Sequence, residues 1–326
     1  MMSRRRFAAT LLAGAALPGS AFGQNVDALR RTARGLGQLH AIMVQRGNDV
    51  ILAEAPRGGG LDRAANIKSC SKSVVGLILG TAIARGEIKR VTDSLRTVAP
   101  RLIPTNGTPG AAAITMEDLV TLRGGLESTS GANYGSWVQS PNWVSYALRR
   151  PMLDTPGGRM IYSTGSTHVL GAAIATATGK TLLTLARERL GEPLGFNVPG
   201  WRRDPQGFYF GGNEMTLTPR AMLRIALLMR DRGRFGAAQV ISQGWIDASL
   251  SGRTMSPFSG LGYGYGWFLS DTGFVIARGY GGQIIAANPS RGLAVAITSD
   301  PNMPARSGGY FGELMALLDG PVLALA

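Results

Sequence analysis

Cysteine occurs once and histidine twice in the 326 residues of this chain. A single thiol excludes an internal disulfide and leaves no basis for a cysteine-built metal site. The two histidines, His40 and His168, exclude most zinc sites and leave little room for a Ser-His-Asp arrangement. No cofactor and no metal are expected. Acidic side chains are scarce too: 20 Asp and Glu stand against 34 Lys and Arg, for a formal net charge of +14. The arginines are scattered and form no long run, so the excess reads as a solvated basic surface and not as a nucleic-acid groove. Such a surface is compatible with weak contact with anionic envelope polymers or phospholipid. No internal repeat or long linker interrupts the chain.

The apolar stretch nearest the N-terminus, Phe7 to Leu17, is too short to span a bilayer. It follows Arg4, Arg5 and Arg6 and precedes Ala21-Phe22-Gly23, which resembles a signal-peptidase site. Ser3-Arg4-Arg5-Arg6-Phe7 also resembles a twin-arginine export signal. Residues 1–23 are therefore expected to be an export signal, and the mature protein periplasmic or secreted. A hydrophobic content of 44% in the whole chain is enough for a large core.

Strand signals sit at both ends. Leu39 to Gln45 and Val50 to Glu54 flank a turn at Arg46-Gly47-Asn48-Asp49. Tyr263 to Leu269, Phe274 to Arg278, Gln283 to Ala287 and Leu293 to Ser299 read as further strands. Helices are expected near 25–34 and 310–318 and, in the middle, near 140–148, 165–178, 180–190, 218–232 and 243–250. Thr115 followed by Asp118 has the form of a capping box. The pattern predicts an α/β lobe from about 24–95 and 255–326, with a mostly helical lobe, about 96–254, inserted in it.

Residues 68 to 80 read KSCSKSVVGLILG. The apolar residues after Lys72 lie nearly all round a helix, which predicts a helix buried in the middle of the molecule. Ser69 and Lys72 form an S-x-x-K pair, and positions three apart share one helix face. A buried lysine, its pKa lowered by desolvation, can take the proton that keeps a serine hydroxyl from attacking. The free N–H groups of a helix start can stabilise an oxyanion. Cys70 has no lysine at that spacing, and Ser71 could pair only backwards with Lys68. Two further elements carry chemistry. Tyr162-Ser163-Thr164-Gly165 puts a tyrosine at a loop–helix junction, where it can relay a proton. Ala277-Arg278-Gly279-Tyr280-Gly281-Gly282-Gln283 ends a strand in glycines that allow close backbone approach, and a backbone N–H there could serve as an oxyanion donor.

These three elements, in this order, resemble the serine β-lactamase and penicillin-binding-protein superfamily, in its class C and esterase-like branch. The resemblance is closest to the 6-aminohexanoate-dimer hydrolases and related serine hydrolases, and it extends over nearly all of the mature chain. It implies a β-lactamase-like α/β fold, an antiparallel sheet with flanking helices from both chain ends plus the inserted helical lobe. It implies Ser69 as the acylated nucleophile, Lys72 as its base and Tyr162 as the proton shuttle to the leaving group. The N–H groups of Ser69 and Tyr280 would form the oxyanion hole. Tyr134, Asn213 and Gly279 would contact a small ester or amide substrate.

Two departures stand out. Thr164 replaces the asparagine of Y-x-N, and Ala277-Arg278-Gly279 replaces K-T-G or H-x-G. Ala277 cannot bind a substrate carboxylate, and alternation along a strand should turn Arg278 to the other face. His168 and Cys70 are expected to be structural. A β-lactamase or DD-peptidase activity, an acyltransferase, and a catalytically silent binding protein of the same fold remain open at this point. Oligomeric state cannot be read from the residues.

Overall fold

The computed structural model describes residues 18–326. The expected export signal lies outside them through residue 17. The helix expected near residues 25–34 begins earlier and runs Pro18–Gly35.

An eight-stranded antiparallel sheet organises the molecule. Its spatial order is Asp49–Glu54, Leu39–Arg46, Leu293–Ser299, Gln283–Asn288, Val275–Gly279, Phe268–Leu269, Gly262–Tyr263 and Thr254–Met255. Strands from the two chain ends meet where Leu39–Arg46 pairs with Leu293–Ser299. That seam is buried on both faces, so Leu293–Ser299 is apolar along most of its length instead of alternating. On one face lie the helices Pro18–Gly35 and Tyr310–Leu317, whose Leu29, Phe311 and Leu314 pack with Ile42, Ile284 and Ile297. On the other lies a larger core built around the helices Ser71–Ala84 and Thr164–Thr178. The helix Pro219–Arg230, from the stretch expected to form the helical lobe, packs on the central strands of the sheet. Its apolar stripe of Met222, Ile225, Ala226 and Met229 explains that placement.

One expected strand is broken. Tyr263 to Leu269 forms two short strands, Gly262–Tyr263 and Phe268–Leu269, around a turn. Gly266, at φ +84°, lies against the backbone of Lys72 and Ser73, and its carbonyl accepts the Ser73 hydroxyl at 2.5 Å. Only glycine adopts that conformation at no steric cost. The turn thereby ties the sheet to the helix that carries Lys72.

The helix Ser71–Ala84 is buried from Ser71 through Ala82. Each of Val74, Leu77, Ile78 and Leu79 removes a whole side chain from water, worth roughly 1.5–3 kcal/mol apiece. Gly80 opens a notch in this helix. The Trp245 ring fills it, and its indole N–H donates to the Gly76 carbonyl at 3.1 Å. A Cβ on Gly80 would collide with that ring. Gly80→Ala is expected to lower stability by about 1–3 kcal/mol through overpacking, read as a lower urea midpoint. An unchanged midpoint would show that the Trp245 ring moves freely.

Candidate active site

Ile67 ends a run of chain that pairs with the segment Met215–Leu217 through Asn66. The backbone then turns sharply at Lys68, which has φ +51°. Ser69 lies in the short 3-10 turn Lys68–Cys70 and not in the α-helix, which begins at Ser71. Its side chain is half-buried, and its N–H falls in a first turn, where no intrahelical partner exists. The turn is gripped from two sides. The Asn66 side chain accepts from the Lys68 N–H at 2.9 Å and donates to Glu214 at 2.8 Å. The Lys68 ammonium reaches the same carboxylate at 3.4 Å. Opposite, Gly279 packs so closely that a Cβ would strike the Ile67 carbonyl and the Lys68 side chain. This is the reason for glycine at the end of that strand. Lys68 and Ser71 thus face away from the Ser69 hydroxyl, with Ser71 Oγ donating to the Lys68 carbonyl at 2.5 Å.

Lys72 is 3% exposed. Its Nζ stands 3.1 Å from Ser69 Oγ, 2.8 Å from the Gly212 carbonyl and 3.3 Å from Thr164 Oγ1. The ammonium also lies 5.0 Å from the centre of the Tyr162 ring. Burial lowers its pKa below the ordinary 10.5, and the Tyr162 phenol opposes part of that shift. Thr164, which departs from the Y-x-N pattern, is therefore a direct partner of the lysine. Gly212 is a partner that sequence reasoning missed, since a backbone carbonyl leaves no mark on residue type. Glu214 was missed too, and its φ of +61° is equally invisible.

The Tyr162 junction is stitched to residues 128–130. Ser128 Oγ donates to the Tyr162 carbonyl at 2.6 Å, and the Thr129 N–H donates to Ser163 Oγ at 3.1 Å. The Thr164 and Gly165 N–H groups, orphaned at the start of the Thr164–Thr178 helix, donate to Ser130 Oγ and Thr129 Oγ1 at 2.9 and 2.8 Å. The run Ser128-Thr129-Ser130 before Gly131 was the available signal for this pairing.

Tyr134 and Asn213 come together: Asn213 Nδ2 donates to the Tyr134 hydroxyl at 3.0 Å. Tyr134 stacks on Phe210, and burial raises the pKa of its phenol. Trp201 anchors the loop by donating its indole N–H to the carbonyls of Phe210 and Asn213. The Tyr280 N–H donates to no backbone group among the described residues, and its ring is 53% exposed. Beyond Ile276 the strand Val275–Gly279 has no ladder partner on its outer side among the described residues. Ala277 faces the core that holds Lys72, whereas Arg278 points to the opposite face. There its guanidinium lies 3.3 Å from the centre of the Phe311 ring, and burial lowers its pKa to about 10. His168 is fully buried, 3.0 Å from Asp204, within a cage of Trp137, Trp143 and Phe210.

A serine at a helix start, a buried lysine on its hydroxyl and an adjoining tyrosine, set against one strand of an antiparallel sheet, define a serine hydrolase of β-lactamase fold. The family model Beta-lactamase matches residues 30–317, and the chain belongs to that family of serine hydrolases. Several solved structures share the fold. EstCE1, a hydrolase with promiscuous acyltransferase activity, superposes with a TM-score of 0.74 at 16% identity, covering 92% of this chain and 99% of that one. A Bacillus anthracis protein described as a 6-aminohexanoate-dimer hydrolase gives 0.72 at 16% identity, covering 95% and 81%. The octameric penicillin-binding-protein homologue of Pyrococcus abyssi gives 0.69 at 17%, covering 93% and 78%. No curated protein matches the chain in sequence.

Cys70, next to Ser69, is fully buried and its Sγ lies 3.4 Å from the Gln283 carbonyl. Burial pushes its thiol well above the ordinary range, so the reactive thiolate is scarce. Iodoacetamide at pH 8 is expected to leave Cys70 unmodified in the folded protein and to alkylate it in urea. Rapid labelling without denaturant would overturn the inert assignment.

Proposed function

We propose that the protein is an exported serine hydrolase that cleaves a small ester or amide through an acyl-enzyme on Ser69. The observation that carries this reading is the buried Lys72 amine, held by the Gly212 carbonyl and Thr164 with its third direction on Ser69 Oγ. A neutral amine has two N–H groups and one lone pair. With the N–H groups on Gly212 and Thr164, the lone pair faces the serine hydroxyl.

Ser69 Oγ attacks the substrate carbonyl while its proton passes to Lys72 Nζ. The new ammonium has three N–H groups and three acceptors in place. The N–H groups of Ser69 and Tyr280 receive the oxyanion. Tyr162 gives its proton to the departing alcohol or amine and is reprotonated from Lys72. Water then attacks the acyl-enzyme, returns a proton to Ser69 along the same groups, and releases the acid. Tyr134, Asn213 and Gly279 line the substrate side.

The substrate class follows from charge. The site-facing positions of the strand, Ala277 and Gly279, offer no cation, and Arg278 is turned away onto Phe311. A neutral acyl and leaving group is therefore favoured over a carboxylate-bearing β-lactam or peptide. The likeness to EstCE1 supports an alcohol as an alternative second acceptor. Export rests on Arg4, Arg5 and Arg6 ahead of the apolar stretch, and fractionation of expressing cells tests it.

Fluorophosphonate labelling and p-nitrophenyl butyrate hydrolysis are expected in the wild type. Both are expected to fall by roughly a thousandfold or more in Ser69→Ala. Equal labelling of Ser69→Ala would sink the assignment, and turnover of nitrocefin at the ester rate would restore the β-lactamase reading. The pH dependence has a definite sign. Lys72 works deprotonated and burial lowers its pKa, so kcat/KM should rise with pH and level off below the ordinary 10.5. A limb at the ordinary lysine value would contradict the burial argument.

A further inference from the structure

Resting on the reading of Lys72 as base, we propose that Ser130 is a positioning residue that sets the direction of the lysine lone pair through Thr164. The argument is a count of hydrogens. Three groups lie within hydrogen-bond distance of Lys72 Nζ, with the centre of the Tyr162 ring farther off at 5.0 Å, and the three differ in kind. The Gly212 carbonyl can only accept, so it always takes an N–H. The hydroxyls of Ser69 and Thr164 can each accept or donate. A neutral amine has one lone pair, so only one of the two hydroxyls can donate to it. When Ser69 donates, the base is productive. When Thr164 donates, the lone pair is occupied and Ser69 receives an N–H, which is the wrong direction for proton removal.

Ser130, when it accepts from Thr164, favours the first of these states. Its Oγ lies 2.9 Å from Thr164 Oγ1 and accepts the Thr164 N–H at 2.9 Å. The N–H occupies one lone pair and leaves the second for the Thr164 O–H. With that bond made, Thr164 presents a lone pair to Lys72, and Lys72 turns its own to Ser69. Ser130 must then send its O–H elsewhere. No other protein group takes it among the described residues, and Ser130 is half-buried. Its hydrogen is left for solvent or for an acceptor atom on a bound substrate. Thr164 is 4% exposed, so water cannot readily replace Ser130 as its acceptor.

The geometry predicts a specific non-additivity. Ser130→Ala removes the acceptor of the Thr164 hydroxyl, which then turns onto Lys72. The acylation rate with fluorophosphonate, and kcat with p-nitrophenyl butyrate, should fall by about tenfold, with KM little changed. Thr164→Val removes the competing donor. In that background Ser130→Ala should cost less than about twofold, because no hydroxyl remains to be misdirected. An equal cost of Ser130→Ala in both backgrounds would mean that Ser130 acts on the fold or on substrate alone, and would overturn the proposal. So would a Ser130→Ala variant with wild-type rates. Ser69→Ala serves as the separate control. If it retains labelling, the serine–lysine reading fails. If it loses labelling while the cycle is additive, only the role of Ser130 fails. Thermal midpoints of all variants separate kinetic coupling from loss of fold.

Discussion

The burial of one ammonium-bearing side chain governs this structure. An amine with 3% exposure loses most of its hydration, and an uncompensated charge there is costly. Three acceptors compensate it, and they come from three distant parts of the chain: Ser69, the Tyr162 junction and the loop before Asn213. Each part carries its own fastening. Trp201 holds the Gly212 loop by two indole hydrogen bonds, the hydroxyls of 128–130 hold the junction, and Ser73 ties the helix to the Gly266 turn. None of these hydrogen bonds involves the Lys72 ammonium, yet each holds in place either an acceptor of it or the helix that carries it. The burial that lowers the Lys72 pKa is thus a property of the assembled fold and not of the S-x-x-K stretch.

The second constraint is strain beside Ser69. Lys68 and Glu214 both adopt left-handed backbone conformations that glycine would take more readily. Such conformations cost of order 1–3 kcal/mol each and persist where the surroundings over-determine them. Here the two strained residues hold one another: the ammonium of Lys68 meets the carboxylate of Glu214, and Asn66 bridges the side chain of one to the backbone of the other. The bend at Lys68 separates Ser69 from the helix proper and leaves its hydroxyl half-exposed while Lys72 stays covered. A straight helical entry would carry both residues on one continuous face and bury them to similar depth. The bend is what allows a half-exposed hydroxyl and a covered amine three positions apart.

The sequence pattern carried the fold further than it carried the site. Strands at both ends are legible because Leu293–Ser299 and Gln283–Asn288 are apolar beyond what a helix face requires, and the burial of Ser71–Ala84 is legible from apolar residues all round it. Tyr263 to Leu269 misleads because its alternation is that of a strand. The break comes from a tertiary contact of Gly266 that no local pattern records. Within the site, Ser69, Lys72 and Tyr162 were legible as residue types at spacings that chemistry needs. The Gly212 carbonyl, the left-handed Glu214 and the Ser130 hydroxyl were not. Backbone acceptors have no sequence signature, and serines in a polar loop look alike until a helix start docks on them.

Register along one strand then explains why the family name does not fix the substrate. Side chains alternate across a sheet, so neighbours in sequence face different cores. Val275 and Ala277 face the helix that carries Lys72, whereas Ile276 and Arg278 face the terminal helices. A cation at position 277 would point into the core on the Lys72 side, but at 278 it stacks on Phe311 on the other face. Arg278 is retained there by stacking on Phe311 and by a 3.4 Å contact with Ser307 Oγ, with no carboxylate in an ion pair with it among the described residues. Its charge is desolvated and stacked on Phe311, within electrostatic range of the Tyr162 phenol. A shift of one position in a single side chain thus leaves the Lys72 side of the strand without a cation at 277. On the proposed reading, recognition is left to neutral donors and to shape, through Tyr134, Asn213 and the exposed ring of Tyr280. Such groups discriminate by fit and hydrogen bonding, which on that reading places an uncharged acyl group ahead of an anionic one.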